Sequence, residues 1–305
     1  MDAAEADAIR ALLDAADAAD GVPAVSEHVL LRIRPRTATD STHLLAVEDG
    51  GLVGYAQVEP PAEAEGPMVA ELAVHPASRR HGVGTALAAA LIERAGPPRG
   101  GESLRVWAHG EHPGALALAR RCGLRLVRRL LRMRRDLDGA LPQVELPSGV
   151  RLRRFVVDQD EQAVVEVNRR AFFRHPEQGR MTVADVRARE AEPWFDPAGF
   201  LLAVDESDRL LGFHWTKIHR RRPSQQVEPT SAVEGEIGEV YVVGVDPAAQ
   251  GGGLGSALTL AGLHHLRARG LRSVMLYVEA DNDAAVRVYE KLGFARWDAD
   301  AQFAR

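Results

Sequence analysis

The hydrophobic pattern of the chain is most regular between residues 239 and 266. A β-branched run from Val240 to Val245 predicts a buried strand. Asp246-Pro247 ends it, because proline has no N–H to give to a strand ladder. A glycine-rich turn, Gln250-Gly-Gly-Gly-Leu-Gly255, comes next. Apolar residues at helical spacing then follow at Leu258, Ala261, Leu263 and Leu266.

This order of strand, glycine turn and helix has a chemical meaning. Glycines let consecutive backbone N–H groups approach a ligand closely. The N-terminus of the helix adds unpaired donors and a partial positive charge. The segment therefore predicts a cradle for a phosphate group, although a glycine turn taken alone is also typical of an ordinary tight connection.

The same pattern occurs once more, earlier in the chain. Glu71-Leu-Ala-Val-His-Pro76 is followed by Arg79-Arg-His-Gly-Val-Gly84 and a helical pattern to Ala95. Aligning Pro76 with Pro247 superimposes four further pairs: Val74 and Val245, Arg79 and Gln250, Gly82 and Gly253, Gly84 and Gly255. Further on, Gly123-Leu124 matches Gly293-Phe294. A repeat of this length indicates duplicated domains rather than a solenoid.

The boundary between the two copies is marked by proline and glycine. Pro142, Pro147 and Gly149 interrupt the periodic pattern there. We expect a first domain at 1–140, a linker at 141–149 and a second domain at 150–305.

The remaining elements alternate between strands and helices. In the first copy we predict helices at 2–19 and 113–122, and strands at 29–33, 44–48, 52–58 and 104–108. In the second copy we predict strands at 150–155, 200–204, 210–218, 273–279 and from 294 onward, and helices at 161–172, 183–190 and 282–292. This order predicts an α/β fold for each copy.

The composition narrows the class of protein. With 46% hydrophobic and 27% charged residues, it is that of a soluble globular protein. The formal net charge of −5 and the pI of about 6.1 argue against a general nucleic-acid binder. The single cysteine, Cys122, fits a reducing compartment. No signal-peptide pattern and no apolar run of roughly 20 residues is present. We therefore expect a cytoplasmic monomer without nucleic-acid, membrane or metal partners.

The spacing Gln250-x-x-Gly253-x-Gly255 after a buried strand resembles the acetyl-CoA signature of the GCN5-related N-acetyltransferases, the GNAT family. It is not a Walker loop, because no Gly-Lys-Ser/Thr follows. It also lacks the register of a dinucleotide fingerprint. The resemblance implies an α/β fold of two tandem GNAT domains, each a mixed central β-sheet flanked by helices, with acetyl-CoA as the co-substrate.

The family motifs assign acetyl-CoA contacts residue by residue. In the second copy the resemblance implies contacts from Val243, Gly244, Val245, Gln250, Gly251, Gly252, Gly253, Leu254, Gly255, Ser256, Asn282, Asp283, Ala284, Ala285, Val286 and Arg287. The equivalent residues of the first copy are Leu72, Ala73, Val74, Arg80, His81, Gly82, Val83, Gly84 and Thr85.

The stretch from Asn282 to Phe294 resembles the closing motif of the family. There an asparagine begins a helix near the pantetheine arm, and a tyrosine, here Tyr289, faces the acetyl sulfur. Asn282 is also a good helix N-cap, and Tyr289 has a plain alternative as a core aromatic. The first copy carries His112 and Ala119 at these two positions. Because alanine has no proton to give, we infer that the second copy performs the chemistry and that the first binds CoA or is structural.

The tandem layout narrows the resemblance to a subgroup that acetylates the cysteinyl amine of a small pseudodisaccharide, Cys-GlcN-Ins. That resemblance implies substrate contacts from Asp40, Glu177, Lys217, Glu239 and Tyr277. A charge in the central strand, as at Glu239, is costly unless it faces a polar cleft. Glu239 is therefore the expected general base and Tyr289 the expected donor to the leaving thiolate. Two alternatives remain: an acetyltransferase for another small amine or a protein N-terminus, and a non-enzymatic acyl-CoA sensor.

Overall fold

The structure is a computed structural model that describes residues 1–33, 40–61, 66–98, 101–173, 178–219 and 236–305. The chain forms two compact units. The first comprises Met1–Leu131, Glu279–Asp281 and Asp298–Arg305, and the second comprises Arg132–Val278 and Asn282–Trp297. These units are defined by contacts between residues, whereas the domain bounds at 140 and 150 follow the sequence pattern and stay a prediction.

The first unit contains helices on both faces of a sheet. Its elements are α1 (Ala3–Asp20), α2 (Glu27–Arg32), β1 (Thr42–Glu48), β2 (Gly51–Glu59), β3 (Met68–Val74), α3 (Val83–Ala95), β4 (Leu104–Ala108), α4 (Pro113–Arg121) and the beginning of β5 (Arg125–Asp136). Successive residues of β2 point to opposite faces of the sheet. Tyr55 packs with α1 and α2 on one face, and Ala56 packs with α3 on the other.

The strands of the first unit follow the order β1-β2-β3-β4-β11. β11 (Ala295–Ala304) is the last strand of the chain, and its residues Ala301 to Ala304 pair antiparallel with β4. β3 and β4 are parallel, with Glu71 opposite Trp107 as the last pair. The C-terminal residues of the chain thus complete the sheet of the N-terminal unit.

One predicted strand of the first unit is wrong. Residues 29–33 belong to α2 and its C-cap rather than to a strand. Ser26 caps the helix by accepting from the Val29 N–H, and Val29 and Ile33 are both buried one helical turn apart. The apolar cluster has helical spacing, and tertiary burial outweighs the β propensity of valine and isoleucine.

The second unit repeats the arrangement. Its elements are the end of β5, β6 (Arg151–Arg154), α5 (Glu161–Ala171), α6 (Val183–Glu190), β7 (Phe200–Val204), β8 (Leu210–His219), β9 (Ile237–Val245), α7 (Leu254–Ala268), β10 (Ser273–Glu279), α8 (Asp283–Lys291) and the first residues of β11. The strand order is β5-β10-β9-β8-β7-β6. The predicted α/β fold, a mixed sheet flanked by helices in each copy, is confirmed.

The two faces of the second sheet have different cores. On one face α5 and α6 cover an aromatic cluster that includes Phe155, Phe200, Phe213 and Trp215. On the other face α7 packs so closely that a Cβ added at Gly262 would lie 2.0 Å from the ring of buried His214. The central strands β8 and β9 are therefore held rigidly between two layers.

In the part of the chain that the structure describes, no helix combines the length and the apolar character needed to cross a membrane.

Candidate active site

The central feature of the second unit is a divergence of two parallel strands. β9 and β10 pair at three positions, from Gly238 and Val274 to Val240 and Leu276. β9 then continues to Val245 in register with β8. At this point β9 carries a bulge, because Trp215 of β8 pairs with Val242 whereas its neighbour pairs with Val240. Tyr241 is the extra residue, and such a bulge bends and twists its strand.

The predicted phosphate cradle lies directly after β9. A 3-10 turn, Pro247–Ala249, is capped by the Asp246 side chain and leads into the glycines. Gly251 and Gly253 adopt positive φ angles of 93° and 82°. A Cβ at either position would meet nothing within 4 Å, so the turn faces open space. Gly253 is the N-cap of α7 and supplies no side-chain acceptor, which leaves the first N–H groups of the helix available to an anion.

The first unit repeats this backbone geometry residue by residue. Arg80, which aligns with Gly251, also has a positive φ, 70°. Gly82, with a φ of 92°, is the N-cap of α3 and again gives no side-chain bond. Arg79 Nε donates to the Val74 carbonyl at 3.2 Å, as Gln250 Nε2 donates to Val245 in the second unit, also at 3.2 Å. The first turn thus has the same backbone conformation as the second. At the position of Gly251 it carries Arg80, and a positive φ strains the backbone of any residue other than glycine.

A cavity of about 950 Å³ adjoins this first cradle. Seven of the nine predicted CoA contacts of the first copy line it: Leu72, Ala73, Val74, Arg80, Gly82, Gly84 and Thr85. His81 and Val83 do not line it. Ala119, the residue aligned with Tyr289, also lies in the wall and is buried.

A buried charge cluster lies beside the cavity of the first unit. His109 Nε2 is 3.1 Å from Glu71 Oε2, and its Nδ1 is 3.1 Å from Asp300 Oδ2. The Ser26 backbone N–H and hydroxyl each donate to Glu71 at 2.6 Å. Burial alone would lower the pKa of His109, but the hydrogen bonds to Asp300 and Glu71 outweigh it and raise the pKa to about 10.

This cluster predicts a pH-dependent stability. Unfolded histidine titrates near pH 6.5, so the stabilisation is fully present below that pH and is lost as the pH rises toward 10. We expect the free energy of unfolding to fall, on the order of a few kcal/mol, between about pH 6.5 and about pH 9.5. Urea denaturation of wild type and His109→Gln at both pH values checks this. Equal pH slopes for the two proteins would contradict it.

The predicted base, Glu239, lies on β9 just before the bulge. Its side chain is only 6% exposed, and Oε2 is 2.6 Å from Nε2 of His219. In the strand register Glu239 stands directly opposite Lys217 of β8, while His219 is two residues further along the same face. The sequence prediction named Glu239 and Lys217, and the structure brings them together. His219 was missed, because a diagonal cross-strand pair has no sequence spacing of its own.

Lys217 is buried among aromatic rings. Its Nζ lies 4.6 Å from the ring centroid of Trp194 and 5.2 Å from that of Tyr241, both within cation–π range. Arg189 Nε in turn donates to the Tyr241 hydroxyl at 2.7 Å. The lysine is therefore held by two rings, one of them the bulge residue, and these ring contacts were not predicted from the sequence.

Tyr289 lies on α8 and is partly buried. Its ring meets Phe294 edge-on, with centroids 5.8 Å apart. Burial raises the pKa of the Tyr289 hydroxyl to about 12, so the phenol stays neutral at ordinary pH. At the start of α8, Asn282 Oδ1 accepts from the Ala285 N–H at 3.1 Å, which confirms its N-cap role. His112 caps α4 of the first unit in the same way.

The other predicted substrate contacts are Tyr277, Asp40 and Glu177. Tyr277 is a partly buried residue of β10, one position beyond the last parallel pair with β9. Asp40 is an exposed residue of the first unit. Glu177 lies outside the described residues. The roles of these three residues stay predictions.

Comparison with known proteins also returns a duplicated unit. A family model described as the acetyltransferase (GNAT) family matches residues 9–124 and 162–294. The chain belongs to the GNAT acetyltransferase family and is an acyltransferase with two GNAT domains in tandem. The non-enzymatic alternative, an acyl-CoA sensor, is thereby set aside.

Curated relatives match over nearly the whole chain. The mycothiol acetyltransferase of Actinosynnema mirum is 56% identical over 305 residues, which are 100% of this chain and 97% of the relative. That of Saccharopolyspora erythraea is 52% identical over 316 residues, covering 97% of this chain and 100% of the relative. The resemblance to mycothiol synthase that the tandem motifs indicate is confirmed by these relatives.

Solved structures agree on the fold. A GCN5-related N-acetyltransferase from Sphaerobacter thermophilus superposes with a TM-score of 0.69 at 27% identity, covering 99% of this chain and 92% of the other. A tandem GNAT protein from the clavulanic acid pathway gives a TM-score of 0.70 at 20% identity, covering 100% of this chain and 96% of the other, and it supports the fold alone.

Proposed function

We propose that the protein transfers the acetyl group of acetyl-CoA to the cysteinyl amine of Cys-GlcN-Ins, giving mycothiol and CoA. The observation that carries the proposal is the buried Glu239 carboxylate on β9, the strand that runs on into the glycine cradle. A base and an acyl-CoA cradle on one strand suit acyl transfer to an amine. The full-length relatives named mycothiol acetyltransferase support mycothiol as the product, and the resemblance of the tandem motifs implies Cys-GlcN-Ins as the amine.

Acetyl-CoA would lie across the carboxyl end of β9. Its pyrophosphate would accept from the N–H groups of residues 251–256 at the start of α7. The pantetheine arm would run beside residues 243–245 and 282–287, beyond the last pair of β9 with β10. A backbone N–H of residues 243–245 is the candidate donor to the oxyanion of the tetrahedral intermediate.

The reaction forms a C–N bond and breaks the thioester C–S bond. With a reference α-amino pKa of about 7.7–8.0, a fair fraction of the substrate amine is neutral near neutral pH. Glu239 removes the remaining N–H proton during or after attack, directly or through a water. Lys217 and Tyr277 would orient the polar part of the substrate. The Lys217 side chain lies against the rings of Trp194 and Tyr241. Asp40 and Glu177 are proposed as further contacts on the resemblance alone.

Tyr289 acts as a hydrogen-bond donor rather than as a full acid. The leaving thiol has a reference pKa of about 8.5, and burial places that of Tyr289 at about 12. Complete proton transfer from tyrosine to the thiolate would therefore be uphill by about 5 kcal/mol. A neutral phenol instead stabilises the developing thiolate without giving up its proton.

Tyr289→Phe is accordingly expected to lower kcat by about 10- to 100-fold, the value of one hydrogen bond to a charged group. The loss does not recover at high pH, and it shrinks with an acyl donor whose thiol is more acidic, because a better leaving group needs less help. Pre-steady-state rates with two acyl donors test this. A variant with near-normal rates for both donors would make Tyr289 a packing residue.

We propose that the first unit binds acetyl-CoA without turning it over. The retained cradle at Arg80 and Gly82 and the adjoining cavity support binding. Two observations argue against chemistry there. Ala119 offers no hydroxyl, and both carboxyl oxygens of Glu71 are already engaged by Ser26 and His109.

The substrate is tested by the release of CoA thiol across a panel of amines. We expect turnover with Cys-GlcN-Ins and little with aminoglycosides or histone-like peptides. Turnover of a peptide or another small amine at an equal or higher kcat/KM would remove Cys-GlcN-Ins as the substrate and leave the acetyltransferase activity in place.

A further inference from the structure

A second titratable side chain, that of His219, lies within hydrogen-bond distance of the proposed base Glu239. His219 is the last residue of β8 and lies diagonally across from Glu239, with Nε2 at 2.6 Å from Oε2. The side chain of His219 is 36% exposed, whereas that of Glu239 is 6% exposed. The histidine therefore connects a buried carboxylate to the solvent side of the strand pair.

The proposed reaction requires a route for protons from Glu239 to solvent. Each turnover delivers one proton from the substrate amine to Glu239, and the next turnover requires the carboxylate again. A base that is almost completely buried exchanges protons with bulk water slowly. Its cross-strand neighbour Lys217 is buried as well and therefore offers no contact with solvent.

We propose that His219 is the proton exit of the active site, an inference that rests on the proposed function. The proton passes from Oε2 of the protonated Glu239 to the lone pair on Nε2 of neutral His219, which restores the carboxylate. The resulting imidazolium releases its Nδ1 proton to water or buffer, and exchange at the exposed ring resets the tautomer. No oxidant, reductant or other reactant is needed. Histidine is suited to this role because it takes up and releases a proton near neutral pH.

The groups that border His219 define the path of the proton. The titratable groups on its sheet face include Glu239 of β9, which contacts it, and Lys217 of its own strand β8. The carboxylate that the transfer restores lies within hydrogen-bond distance of the ring, and the exposed part of the ring can pass its second proton to water. The positive charge is therefore formed beside Glu239 and then lost to solvent.

The test separates the first turnover from the following ones. In His219→Gln the amide still donates to Glu239 but cannot relay a proton. We expect a burst of one equivalent of CoA per active site at the wild-type rate, followed by a steady state about 10-fold or more slower. Free imidazole should accelerate the steady state and leave the burst unchanged. His264→Gln, in which a partly buried histidine of α7 bonded to the Pro142 carbonyl is replaced, is the matched control and should show no burst.

Two results would overturn the proposal. If burst and steady state slow together and imidazole does not help, His219 only holds Glu239 in place. If the steady-state rate is unchanged, His219 has no part in the reaction. Failure of the proposed function is a separate result, because wild-type protein would then release no CoA with Cys-GlcN-Ins in any phase.

Discussion

Replacement of Glu239 by glutamine is expected to lower kcat/KM by about 10²-fold or more, the usual range for loss of a general base. Glutamine keeps the shape of the side chain and can still meet His219, but it accepts no proton from the amine. Part of the loss should recover at high pH, where the substrate amine is neutral without help. pH–rate profiles of wild type and variant measure both effects.

The control for this variant is Glu290→Gln, because Glu290 is an exposed carboxylate on α8 with only a 4.0 Å contact to Arg296. Its pH–rate profile should match that of wild type. A Glu239→Gln enzyme that keeps wild-type kcat/KM at neutral pH would show that the base lies elsewhere.

The second large effect is expected in the cradle. Gly253→Glu should abolish turnover, because it places a side chain and a negative charge where the pyrophosphate of acetyl-CoA would lie. Gly82→Glu should leave most of the activity. The two glycines have φ angles of 82° and 92°, and a Cβ at either would meet nothing within 4 Å. The backbone strain is therefore about the same in both variants, and a difference in turnover reports function.

Alanine at the same two positions completes the comparison. Gly253→Ala and Gly82→Ala carry only the strain of a positive φ, about 1 kcal/mol each. Steady-state kinetics and thermal unfolding of all four variants separate folding from binding. Equal loss of turnover in folded Gly253→Glu and Gly82→Glu would mean that the first cradle is essential to catalysis.

Much of the fold follows from local sequence. The strand–glycine–helix pattern was recognisable because strand alternation, turn glycines and helical spacing each act within a few residues. The strands Leu104–Ala108, Phe200–Val204 and Ser273–Glu279 have the predicted bounds. The repeat was recognisable for the same reason, because each copy contains its own strand, glycine turn and helix.

What could not be predicted depends on distant residues. The bulge at Tyr241 is a property of the pairing between β8 and β9, and β9 alone gives no sign of it. A strand was predicted from residue 294 onward, but the sequence did not indicate that residues 301–304 would pair with β4. The cluster of Glu71, His109 and Asp300 joins residues up to 229 positions apart for the same reason.

The same distinction between local and distant residues applies to the candidate site. Glu239 and Tyr289 were identified from motifs that local spacing defines. Their environments came only from the structure: the His219 contact on Glu239 and the burial that raises the pKa of Tyr289. Motifs thus predict the residues that we propose as chemically active, whereas the cross-strand register brings His219 to the proposed base.

The most direct test of the account is a competition for one acyl donor. An equimolar mixture of Cys-GlcN-Ins, an aminoglycoside and a histone-like peptide is incubated with acetyl-CoA and the protein, and the acetylated products are identified by mass spectrometry. The account predicts one acetyl group on the cysteinyl nitrogen of Cys-GlcN-Ins, and none when Gly253→Glu replaces the wild type. Acetylation of the peptide or the aminoglycoside in preference to Cys-GlcN-Ins would contradict it.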